Sequence, residues 1–308
     1  MGKIIYRPQG RAYEYAPWAA NIFVGCSNRC EYCYCKHGVL KKAIGMDVPQ
    51  LKKDFVIEPR SDSPEDIGLA FAIGCNKAVL TFEDELERYR GLIMADGGGL
   101  FFTFSSDPCL FKPVDTFSTF MRCALIALGC DEYGIRTNDL PPVPVTFLTK
   151  RAEWVNNGGV GGHRLLMAGG ENLCVGFTLT GRDDLEPYAS PNAERIEAMR
   201  KCHEKGVHTF ASVEPVIDLD RSLEMIKGTL GFCEMYKIGL TSGKRYGKVI
   251  TKSDLVYFVN DVQDLVKKNA PSAKIYWKES IREKVAGLVK FSDNVVDARF
   301  NIFAEQNK

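Results

Sequence analysis

Three cysteines within one short run carry the strongest chemical signal in this chain. Cys26, Cys30 and Cys33 lie in Gly25-Cys26-Ser27-Asn28-Arg29-Cys30-Glu31-Tyr32-Cys33-Tyr34-Cys35. Thiolates are soft ligands that suit iron–sulfur clusters or zinc. Three thiolates from a single loop can take three irons of a four-iron cluster and leave the fourth open, whereas a cluster built only to pass electrons usually takes four cysteines. An open iron binds a small molecule, so three ligands point to chemistry. A zinc knuckle is the rival reading. It requires a second Cys-x-x-Cys or a His-x-x-x-His pair at finger spacing, and none follows; Cys35 and His37 are the nearest candidates.

The elements that must position this loop follow from hydrophobic patterning. Short apolar runs rich in Phe, Val, Ile and Thr occur at Asn21–Val24, Leu100–Ser105, Val143–Thr149, Leu173–Thr180, His208–Val216, Met235–Leu240 and Lys274–Trp277. Such runs suit buried parallel strands. Helical patterns lie between them at Phe117–Leu128, Ser190–Lys205, Asp220–Leu230 and Ser253–Lys268. Ser190-Pro191 is read as an N-cap and first-turn pair. Strands alternating with helices imply βαβ units. The expected fold is therefore α/β, a partial (β/α)6-type TIM barrel of parallel strands with a C-terminal extension, its chemistry at the strands' C-terminal ends. Residues 1–243 form the expected core, with an insert at about 38–99 that holds Lys41, Lys42, Lys52, Lys53 and a helix over Ser63–Ile73. Residues 244–308 form the extension, expected to cap the barrel, with Tyr276 and Trp277 shaping a pocket or shielding an edge. The glycine-rich stretch 155–171 is read as a loop and short helix.

Cys-x-x-x-Cys-x-aromatic-Cys after a first strand, with Tyr32 as the aromatic, resembles the signature of radical S-adenosylmethionine enzymes. The passages GRAYEYAPWAANIFVGCSNRCEYCY, FTFSSDP, FLTK, FTLT, LEPYASPNAERIEAMRKCHEKGV and SVEPVI resemble, in order over roughly residues 10–242, the subgroup containing spore photoproduct lyase and its relatives. The insert matches poorly. The resemblance implies a 4Fe-4S cluster on Cys26, Cys30 and Cys33 and S-adenosyl-L-methionine (SAM) on the open iron, beside Tyr32. It assigns Ser105, Ser106 and Asp107 to the methionyl amino group, Lys150 to the methionyl carboxylate, and Thr178 and Thr180 to the ribose. Glu214 would reach ribose or substrate, and Glu186 with Arg195 would form a structural pair beneath. It also implies an external one-electron donor such as flavodoxin or ferredoxin. Plainer readings stand beside these: Ser-Ser-Asp-Pro is also a turn signal, and alternating threonines are also ordinary strand formers. One departure concerns the substrate. Phe104 stands where the subgroup carries a hydrogen-donor cysteine, which leaves Cys109 as the expected substitute donor and places thymine-dimer repair in doubt.

The bulk composition limits the alternatives. The chain has 308 residues, 45% of them hydrophobic, and a formal charge of +1. A nucleic-acid partner gains no support from that charge. No run suits an export signal or a membrane span, so a cytoplasmic protein without a membrane partner is expected. The eleven cysteines form an odd set that argues against a disulfide framework. Two classes rival a radical enzyme: a non-catalytic iron–sulfur protein, and a nucleic-acid-binding module with structural zinc.

Overall fold

The computed structural model describes residues 3–37, 41–156, 159–241, 246 and 249–307. Its strands are β1 (Ile5–Tyr6), β2 (Ala19–Ala20), β3 (Phe23–Val24), β4 (Gln50–Leu51), β5 (Leu100–Phe102), β6 (Val145–Thr149), β7 (Leu173–Thr178), β8 (His208–Val216), β9 (Met235–Leu240) and β10 (Lys274–Trp277). Eight of them form one sheet in the order β1-β2-β5-β6-β7-β8-β9-β10, and β3 pairs with β4 separately. Every neighbour pair from β2 to β10 is parallel; β1 closes one edge antiparallel to β2. The α/β architecture with a mostly parallel sheet is as expected, and the sheet is open at β1 and β10 among the described strands.

The helices are α1 (Lys41–Ile44), α2 (Pro64–Asp96), α3 (Phe117–Ala127), α4 (Glu153–Asn156), α5 (Val160–Gly169), α6 (Asn192–Glu204), α7 (Leu219–Lys227), α8 (Lys252–Asn269) and α9 (Glu279–Val285). The helices from α2 to α9 cover one sheet face, where Phe102, Phe147, Phe177, Tyr236 and Trp277 enter the main core. The opposite face buries Phe101, Cys174, Phe210, Met235 and Tyr276 against Phe300, Ile302 and Phe303 of the chain's end. Burial on both faces explains why these strands read as continuous apolar runs. No described helix is long and apolar enough to cross a membrane.

Four expectations change. The first strand of the main sheet is β2, not Asn21–Val24. Asn21 leaves the ladder, its Oδ1 accepting from Thr103 Oγ1 at 2.6 Å and Phe104 N at 2.9 Å, and Phe23–Val24 turns away to pair with β4. Within the insert, the helix begins at Pro64 behind a Ser63 cap and runs on to Asp96. Gly74, just past the expected end at Ile73, is a packing residue: a Cβ there would meet Phe55 O at 2.4 Å. Ser190 is no cap, since its Oγ accepts from Ala152 N and donates to Glu153 Oε2, both at 2.8 Å. The C-terminal residues extend the sheet through α8, β10 and α9, and Tyr276 and Trp277 are buried rather than pocket-lining.

Candidate active site

The C-terminal ends of the strands open into a cavity of about 320 Å³. Its wall combines the cysteine loop with the ends of β5, β6, β7, β8, β9 and β10. Cys26, Cys30, Tyr32, Cys33, Ser105, Ser106, Asp107, Lys150, Thr178 and Glu214 all line it. Thr180 and Cys109 do not. The Thr180 hydroxyl accepts from Arg182 N at 3.2 Å, and its own N–H donates to Asn192 Oδ1. Cys109 is fully buried in the main core. Outside the trio, the thiol on this wall belongs to Cys35, whose Sγ stands 3.8 Å from Phe104 O.

The loop is pinned at several points. Cys26 N donates to Met46 O at 2.9 Å, Ser27 Oγ to Lys112 O at 3.2 Å, Glu31 N to Leu185 O at 3.0 Å, and Tyr246 Oη to Glu31 O at 2.6 Å. Gly25 starts the turn at φ +84°, and a Cβ there would meet Val48 O at 2.8 Å and Met46 O at 2.9 Å. A side chain at positive φ costs about 1–2 kcal/mol before any clash. Gly25→Ala should therefore lower unfolding free energy by about 2 kcal/mol and reduce iron uptake per chain. A loss below about 0.5 kcal/mol in urea unfolding would show that the loop accommodates the methyl group.

Below the loop lies a buried ion pair. Arg195 Nη2 donates to Glu186 Oε2 at 2.5 Å, with both side chains wholly buried. Its Nε donates to Ser190 O at 2.6 Å and its Nη1 to Thr178 O at 2.8 Å. The Tyr32 phenol donates to the other oxygen of Glu186. The pair thus ties the cysteine loop to the end of β7.

Asp107 is a second anchor. Its Oδ1 accepts from Cys109 N at 3.0 Å and Thr149 Oγ1 at 2.7 Å, and its Oδ2 from Asn28 Nδ2 at 2.8 Å and Lys150 N at 2.9 Å. Four donors on one carboxylate hold the cysteine loop against β5 and β6. They also occupy the oxygens that the amino-group expectation required. Ser105 Oγ donates its proton to Phe23 O at 2.6 Å and keeps its lone pairs as acceptors.

The three thiols differ in how readily they ionise. Burial pushes the Cys26 thiol up, reinforced by the Asp107 carboxylate. Burial pushes Cys30 up to about 11 against the opposing pull of Lys150. Cys33 is driven down, chiefly by a hydrogen bond from Cys35, with Lys150 and Lys36 adding to it. Burial acts to lower the Lys150 ammonium, but Cys30 and Glu186 outweigh it and the group is held above its ordinary value. Lys150 Nζ donates to Thr178 Oγ1 at 3.3 Å and stands 5.6 Å from the Tyr32 ring centre.

The opposite wall holds residues that the motifs did not single out. Lys278 Nζ lies 2.8 Å from Glu214 Oε2 and 3.2 Å from Glu14 Oε2. The Tyr15 hydroxyl meets Ser212 Oγ and Glu214 Oε2, each at 2.8 Å. Lys278 directly follows the run Lys274–Trp277, so the strand-end rule finds it. Tyr15 arrives from an N-terminal turn and carries no such signal.

The donor set fits a cluster. Three free thiols share one wall beside the part-buried Lys150 ammonium. Among the described residues, no three His, Cys, Asp or Glu side chains are grouped to hold a single metal ion.

No protein-family model matches the sequence, and no curated protein matches it. Solved structures do match. Spore photoproduct lyase complexed with dinucleoside spore photoproduct aligns at 14% identity and TM-score 0.54, covering 85% of this chain and 77% of that one. A point mutant of spore photoproduct lyase aligns at 14% identity and TM-score 0.53, with the same coverage. The chain therefore has the fold of spore photoproduct lyase over most of its length.

Proposed function

We propose that this chain is a radical SAM enzyme, with Cys26, Cys30 and Cys33 holding a 4Fe-4S cluster and the methionyl group of SAM lying between the cysteine loop and Lys150. The observation that carries the reading is the convergence of three thiols, the Lys150 ammonium and the strand-end polar groups on one cavity. When bound, a cluster held by Cys26, Cys30 and Cys33 would supply the one electron that cleaves SAM reductively to methionine and a 5′-deoxyadenosyl radical able to take a hydrogen atom from substrate. The remaining chemistry is positioning. Lys150 pairs with the methionyl carboxylate and is kept in place by Thr178. Tyr32, fixed by Glu186, packs beneath. Glu214, braced by Lys278 and Tyr15, faces ribose or substrate from the far wall. Asp107 and Ser105 position the loop and strand ends that make these contacts. An external one-electron donor such as flavodoxin or ferredoxin serves the cluster.

Anaerobic reconstitution with iron and sulfide, reduction with dithionite and addition of SAM should release 5′-deoxyadenosine. The Cys30→Ala protein should release none. A cluster that forms without cleaving SAM would point instead to a redox or binding role, and tight zinc in its place to a structural site.

A further inference from the structure

Asp107 already accepts four protein donors, so the cofactor's amino group calls for a further acceptor beside it. Asn28 supplies one. It lies midway between two of the cysteines, is 2% exposed and lines the cavity. Its Nδ2 donates to Asp107 Oδ2 at 2.8 Å. A carboxylate accepts and does not donate, so this bond fixes which end of the amide is nitrogen. The oxygen must then point away from Asp107. Asn28 Oδ1 is buried and has no hydrogen-bond partner, and among the described orphan side-chain atoms it is the one belonging to a cavity-lining residue. A buried acceptor left unmade costs free energy, so such a group in a folded protein calls for a missing donor.

We propose that Asn28 Oδ1 accepts a hydrogen bond from an N–H of the α-amino group of SAM. The inference rests on the radical SAM reading and deepens it. SAM offers three kinds of donor: the amino group, the ribose hydroxyls and the adenine amine. The amino group is the one held at the cluster's open iron, and Asn28 sits within the cluster loop. The adjacent geometry agrees. Asp107 Oδ2 also accepts from Lys150 N at 2.9 Å, so one carboxylate oxygen sets both the neutral acceptor of Asn28 and the backbone of the cationic Lys150. An acceptor on one side and a cation on the other match the amino group and carboxylate of an α-amino acid and reject the reversed orientation. Asn28 is a positioning residue for the cofactor and takes no part in bond breaking.

The test uses the reconstituted protein with its cluster kept oxidised, so that binding is read without turnover. Dissociation constants are measured by calorimetry for SAM and for its analogue lacking the α-amino group, in wild type and in Asn28→Leu. Removing the amino group costs wild type both the iron bond and the Asn28 bond, but costs the variant the iron bond alone. The wild-type affinity ratio should therefore exceed the variant's by about tenfold or more. Should Asn28→Leu fail to take up the cluster, Asn28→Ser, too short to place an acceptor at Oδ1, is measured in its place. Equal ratios in wild type and variant would overturn the proposal, leaving Oδ1 a structural orphan while SAM binding stands. Failure of wild type to bind SAM would overturn the radical SAM reading together with this one.

Discussion

Arg195→Met should lower the unfolding free energy by about 3–5 kcal/mol, a large share of the roughly 5–15 kcal/mol that holds a domain together. Two physical causes add. The Glu186 carboxylate, wholly buried, loses its counter-charge and retains the Tyr32 phenol. The carbonyls of Ser190 and Thr178 lose the donors Nε and Nη1, at roughly 1–3 kcal/mol for each group left unpaired. Adding Glu186→Leu should recover the part due to the stranded charge, because a buried pair replaced on both sides by apolar groups is often near neutral. It should not recover the carbonyl part. Urea unfolding of the three proteins without metal separates these contributions. If Arg195→Met loses under 1 kcal/mol, or the double variant is no better than the single, the pair is not what ties β7 to the cysteine loop.

That pair shows how far sequence reading goes here. Glu186 and Arg195 are legible as partners because they flank a helix start in a segment matching relatives, but their connection to Tyr32 is not. It requires two segments more than 150 positions apart to meet, and no local pattern encodes such a meeting. The strands from Leu100 onward are legible because burial on both faces leaves nearly continuous apolar runs. The first strand is misplaced because Ala19–Ala20 is only two residues long and is followed by the more strand-like Phe23–Val24. The long helix is read as ending at Ile73, just before a glycine whose purpose, close approach to Phe55, lies in another segment. The cysteines are legible because spacing within one loop is itself the signal. Asn28 is not, since an asparagine in a loop reads as a turn former until its two amide ends are seen to face different things.

Asp107→Asn tests whether loop position and cofactor orientation share one anchor. The native carboxylate accepts four donors, two on each oxygen. An amide offers one oxygen and one NH2, so two donors meet a donor whichever way it turns. The Thr149 hydroxyl can rotate to accept, and Asn28 can flip to present its oxygen. The backbone N–H of Cys109 or Lys150 cannot adapt, and one of them is left buried without a partner. The expected cost is about 2–3 kcal/mol in urea unfolding, smaller than the loss in Arg195→Met but coupled to a distinct functional effect. The orientation with Oδ1 toward Cys109 forces Asn28 to turn its NH2 toward the cavity, where a donor faces the amino N–H of SAM. In that orientation, folded, cluster-loaded Asp107→Asn protein should bind SAM more weakly, while the analogue lacking the amino group binds much as it does to wild type. Equal weakening of both ligands would mean that Asp107 supports the site only by holding the loop. A weakening confined to SAM would mean that the carboxylate sets the polarity of the amide that reads the cofactor's amino group.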